Sequence, residues 1–112
     1  MLRTSSEDYE NRRRQAAEVA QAVLEHRLGI CEGSRLLARL AHDLVPDWRM
    51  DPDFVVLGAL DSDSDRFPLG QIRDQWDPTA LAALDVEREE IERRTEPKVM
   101  AACRSIVLRL GA

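Results

Sequence analysis

Asp61-Ser62-Asp63-Ser64-Asp65 places carboxylates at alternating positions, as the opening of a calcium-binding loop does. Such a loop continues with a glycine at its sixth position, where the backbone turns sharply, and closes with a bidentate glutamate at its twelfth. Arg66 and Ile72 stand at those positions, so no calcium site is expected. His26, Cys31, His42 and Cys103 are the strongest soft-metal ligands, and none stands at zinc-finger spacing. Arg12-Arg13-Arg14 could meet phosphate. Glu7, Asp8, Glu10 and Glu18 share its helix, however, and a solvated helix face is the expected role. The acidic run has no recognisable histidine or serine partner, and there is no glycine-rich phosphate loop. The sequence therefore predicts no catalytic residue, no cofactor and no resident metal. The enzyme alternative is a small metal-dependent activity built on Asp63 and Asp65.

Charge and aromatic residues are unevenly spread. The chain has 112 residues and a net charge of −5. Residues 1 to 45 and 81 to 112 are each neutral, whereas residues 46 to 80 set Arg49, Arg66 and Arg73 against eight aspartates. Trp48, Phe54, Phe67 and Trp76 lie in the same stretch, together with Pro46, Pro52, Pro68 and Pro78. An acidic, aromatic-studded surface on a helical scaffold would steer a basic protein partner. Trp48, Asp61, Asp63, Asp65, Phe67, Arg73 and Trp76 are the candidate contact residues. The alternative is that these aspartates are turn formers and helix caps, with the tryptophans plugging the open ends of a bundle. The net negative charge argues against nucleic acid. No apolar run is long enough to span a membrane, and the N-terminus lacks a signal-peptide core. A cytoplasmic protein is expected, with Cys31 and Cys103 reduced and at least partly buried.

The elements that must position these residues are helices. Aromatic residues are only 4% of the chain, so the core is aliphatic, which suits helix packing. Ala16, Val19, Ala20, Val23, Leu24 and Leu28 recur at helical spacing after a capping box, Thr4 with Glu7 or Ser5 with Asp8. Gly29 is expected to stop that helix. Leu36, Leu37, Leu40, Ala41 and Leu44 mark a second helix, antiparallel to the first, in which Gly33 suggests a close crossing. Asp51-Pro52 reads as a cap and first turn for a short helix through Leu60. Periodicity alone leaves Val55-Val56-Leu57 open to a buried strand, and the cap favours helix. Asp61 to Pro68 is expected as loop, and Leu69 to Trp76 as one more helical turn. Asp77-Pro78 opens a long helix to Leu110 that Pro97 must kink or divide. Glu89 with Arg93 and Glu90 with Arg94 should form i,i+4 pairs. The prediction is one all-α domain over residues 1–112, a helical bundle with an irregular acidic segment at about 46–80.

The run Gly29-Ile30-Cys31-Glu32-Gly33-Ser34-Arg35 with Leu37, then Asp61-Ser62-Asp63-Ser64-Asp65, Pro68, Gly70, Arg73 and Trp76, resembles a group of small uncharacterised bacterial helical domains. The resemblance covers roughly residue 19 to the end. Relatives more often carry Ser-Glu-Thr-Asp where this chain has Ser62-Asp63-Ser64-Asp65. It implies a helical fold and a bacterial source, and no activity. A protein-binding module, in the manner of an immunity or antitoxin protein that neutralises a basic partner, is the expected function. A purely structural, oligomerising helical domain is the other non-enzymatic alternative, and a homo-oligomer is compatible with either.

Overall fold

A computed structural model describes residues 5–111. Helix α1 (Ser5–Leu24) turns back through a tight bend into α2 (Ile30–Leu44). A short 3-10 turn (Trp48–Met50) leads to α3 (Phe54–Asp63), and a second (Gly70–Gln75) leads to α4 (Pro78–Leu110). No strand forms among the described residues, so Val55-Val56-Leu57 is helical. The capping boxes expected at the start of α1 depend on Thr4 and the Ser5 side chain, which lie outside what is described.

Helix α1 packs on α4 and α2, and α3 packs on α2. Ala16, Ala20 and Val23 of α1 meet Leu37 and Ala41 of α2, Phe54 and Leu57 of α3, and Cys103 and Ile106 of α4 in one buried cluster. Gly33 is where α1 and α2 cross. A Cβ built there would sit 2.2 Å from Val23 Cγ2, so the backbone approach admits only glycine. Cys31 and Cys103 are both free and fully buried, and burial pushes each thiol up to about 11.

Three boundaries differ from expectation, each for a local reason. Helix α1 ends at Leu24, and Gly29 takes an extended conformation (φ −68°) at the start of α2. The left-handed position that terminates α1 is His26, at φ 59°. Its N–H donates to the Val23 carbonyl and that of Arg27 to the Ala22 carbonyl, the paired bonds of a Schellman motif. Asp51 does cap α3, accepting from the backbone N–H of Asp53 (3.0 Å) and Phe54 (3.1 Å), but regular helix begins at Phe54. At its far end α3 runs on through Asp63, so Asp61 to Asp63 form a helical turn rather than loop.

Pro97 neither divides α4 nor starts a new helix. It is exposed, and 33 residues run through it without a break. A helix of that length spans about 50 Å, comparable to the 47 Å long axis of the molecule. Every buried residue of α4 lies at or beyond Val99. The first two-thirds, residues 78 to 98, is therefore an arm laid along the surface, held by polar contacts and by Ile91, which packs against the core. Asp77 caps it, accepting from Ala80 N–H at 3.0 Å, with Pro78 in the first turn as the sequence predicts.

Candidate functional site

The stretch between α3 and α4 is pinned by two arginines. Arg35 on α2 donates from Nη2 to the Ser64 carbonyl (2.9 Å), reaches the Phe67 carbonyl (3.4 Å) and pairs through Nε with Asp61 Oδ1 (3.3 Å). Ser64 is fully buried and donates to the Leu60 carbonyl, closing the end of α3. Arg73 grips Asp85 on α4 with both terminal nitrogens, at 2.7 and 2.8 Å. That fork-on-fork contact holds the Asp85 carboxyl down at about 2. The seam continues along α4: Arg88 Nη2 lies 3.5 Å from Asp85, and Arg88 Nη1 lies 2.6 Å from Glu92. Glu92 Oε2 then accepts from Cys31 N–H at 3.0 Å, capping the first turn of α2.

Several of the residues that carry the resemblance are therefore engaged in holding the loop and the arm in place. Gly29 and Cys31 meet Glu92 on the arm, Arg35 holds Asp61 and the backbone at Ser64 and Phe67, and Arg73 anchors the second 3-10 turn. The chemistry is positional. A balanced chain of two arginines and two carboxylates along Arg73, Asp85, Arg88 and Glu92 locks a loop and a helical arm onto α2.

The seven candidate contact residues separate into two groups. Phe67 is 2% exposed and belongs to the interior. Asp61 and Arg73 are half-buried and engaged by Arg35 and Asp85. Trp48 is half-buried, stacked edge-on to His42 at 5.5 Å, with Gly58 leaving it room, since a Cβ there would meet the indole at 2.6 Å. These four are held inward. Asp63 and Asp65 are exposed and enter no ion pair. Trp76 is 38% exposed, close in sequence to Ile72 at 54% and to exposed Asp74.

Half of the eight aspartates in the acidic stretch are thus spent on structure. Asp51 and Asp53 both pair with Arg109 (2.7 Å each), Asp53 also accepts from Ser105, and Asp77 is a helix cap. Asp47, Asp63, Asp65 and Asp74 are the exposed aspartates of the stretch whose carboxylates enter no ion pair, and Arg49 and Arg66 are exposed among them. Among the described residues no group of three or more histidine, cysteine, aspartate or glutamate side chains is placed to hold a metal ion. Among the described residues no helix is long and apolar enough to cross a membrane. The arginine run at the start is paired too: Arg12 with Asp43 at 2.8 Å, and Arg13 with Glu10 and the Leu110 carbonyl.

Sequence reasoning missed the roles of Asp85, Arg88, Glu92 and Arg109. Asp85, Arg88 and Glu92 do carry a signal, since their spacing of three and four puts them on one face of α4. Glu89 with Arg93 and Glu90 with Arg94 mask it, because they are the better-oriented pairs. Neither of those closes. Arg88 with Glu92 closes instead, in the less favoured order, because Glu92 is also fixed by the α2 backbone.

No curated protein and no solved structure matches the chain. A family model does match, over residues 3–106, and the chain accordingly belongs to DUF2489, a family of proteins of unknown function.

Proposed function

We propose that this chain is a non-catalytic protein-binding module whose contact surface runs from Asp63 to Trp76 and whose partner presents a basic face. One observation carries the reading. Ile72 and Trp76 remain 54% and 38% exposed on a segment that Arg35 and Arg73 otherwise hold rigid. Two large exposed apolar residues on a clamped loop, in a stretch that also exposes Asp63, Asp65 and Asp74, have the make-up of a binding hot spot with charge nearby. Preorganisation lowers the cost of ordering on association. A cytoplasmic immunity or antitoxin protein that covers the cationic cleft of a bacterial toxin is the concrete form that fits this surface.

The test uses the partner recovered with the wild-type chain from its source cells. Trp76→Ala should weaken that complex by about 2 kcal/mol or more, mainly through faster dissociation. Its unbound melting temperature should stay close to wild type, because removing a true core plug would cost roughly 3–5 kcal/mol of stability. Asp65→Asn with Asp74→Asn should slow association at low salt and much less at high salt. Unchanged binding by the Trp76 variant would dismiss this surface.

A further inference from the structure

A second surface runs along α3 and meets that loop at Asp63. Phe54-Val55-Val56-Leu57-Gly58-Ala59-Leu60 gives α3 apolar residues on every side, yet only Phe54, Leu57, Gly58 and Leu60 are buried. A helix that is apolar all round is ordinarily enclosed all round. Here Val55, Val56 and Ala59 are left along one edge, with Val55 39% exposed. They form one wall of an open groove of about 380 Å3, and Val99 and Lys98 of α4 form part of the other. Thr95, also on the groove, spends its hydroxyl on the Ile91 carbonyl at 2.7 Å and leaves no unpaired donor there. One acidic residue and one basic residue line the groove, Asp63 on α3 and Lys98 on α4. Both are exposed and neither enters an ion pair. Lys98 is the only lysine of the chain.

We propose that this groove is a self-association surface, occupied by the same groove of a second copy across a two-fold axis. A two-fold interface requires a patch complementary to itself, because each residue meets in the partner what the partner meets in it. An apolar strip with a single carboxylate on one helix and a single ammonium on the other meets that requirement. Rotation by half a turn sets Asp63 of each copy against Lys98 of the other, with Val55, Val56 and Ala59 covered between them. A strongly basic partner would be repelled at Lys98 and a strongly acidic one at Asp63. Asp63 ends α3, where its carboxylate opposes the negative end of the helix dipole and enters no ion pair, while Arg66 donates to its carbonyl.

Sedimentation equilibrium of the full chain over a concentration series is the test. The wild type should form a reversible dimer below about 1 mM. Asp63→Lys and Lys98→Asp should each weaken it by about tenfold or more, because like charges then face one another. The double exchange, Asp63→Lys with Lys98→Asp, restores opposite charges and should recover the dimer to within about threefold of wild type. Thermal melts of the variants at low concentration, held near the wild-type value, separate lost association from lost folding. A wild type that stays monomeric overturns the proposal and leaves the groove to a helix from another protein. Failure of the double exchange to recover a dimer that the single exchanges weaken overturns it as well. Both outcomes are read on the chain alone, with no second protein present, and so stay distinguishable from those of the Trp76 variant, although Asp63 belongs to both surfaces.

Discussion

Asp51 serves two elements at once. It caps α3 through two backbone N–H groups and receives both terminal nitrogens of Arg109 from the end of α4, at 3.1 and 2.7 Å. Arg109 holds the Asp51 carboxyl below its ordinary range, with burial opposing and the two N–H donors assisting. The ionised form is therefore favoured by folding. The stability this contributes is present above the ordinary carboxylate range and is lost as pH falls through the lowered value. Asp85, lowered from 3.8 to about 2 chiefly by Arg73, acts in the same direction. Stability should thus decline on acidification from about pH 4 toward 2. Asp51→Asn should cost about 1–2 kcal/mol at neutral pH and flatten the acid limb, measured by urea denaturation at several pH values. An unchanged midpoint at pH 7 would show that Asp53 alone suffices for Arg109. The sequence offered Asp51 only as a cap, because its partner lies far along the chain and no local spacing announces such a pair.

At the level of elements, the apolar stripes and proline-linked caps were legible because they depend on neighbours within a few residues. Asp77-Pro78 opens α4 and the Asp51 side chain caps α3 as read. Gly33 sits at a helix crossing as its presence in a helix suggested. Helix ends were less legible. Gly29 looked like the stop for α1, yet the left-handed residue is His26, and histidine is not the residue one looks for there. An L-residue in that conformation carries strain that glycine does not. His26→Gly should therefore raise stability by about 0.5–1 kcal/mol after the added freedom of the unfolded chain is counted, read as a higher urea midpoint. A drop of that size would mean that the imidazole makes a stabilising contact beyond the turn. Pro97 was also ambiguous in sequence. Its exposure on the outer side of α4 explains why one helix tolerates it, with the lost hydrogen bond facing water.

For the whole molecule, the charge of residues 46 to 80 is legible in the sequence, and how much of it reaches the surface is not. Residues 46 to 80 hold the full net charge, but long-range pairing with Arg35, Arg73 and Arg109 absorbs much of it into scaffolding. Which aspartates remain free, and that Phe67 is interior while Trp76 is not, depends on packing between distant segments. What emerges is a bundle with an arm, a clamped loop that presents Ile72 and Trp76, and an apolar groove along α3. Amide hydrogen exchange with and without the recovered partner tests the central assignment most directly, since association slows exchange where the backbone is covered. The account predicts new protection concentrated between residues 63 and 77, with α1 unchanged. Protection confined to other segments, with residues 63 to 77 exchanging at the free rate, would contradict it.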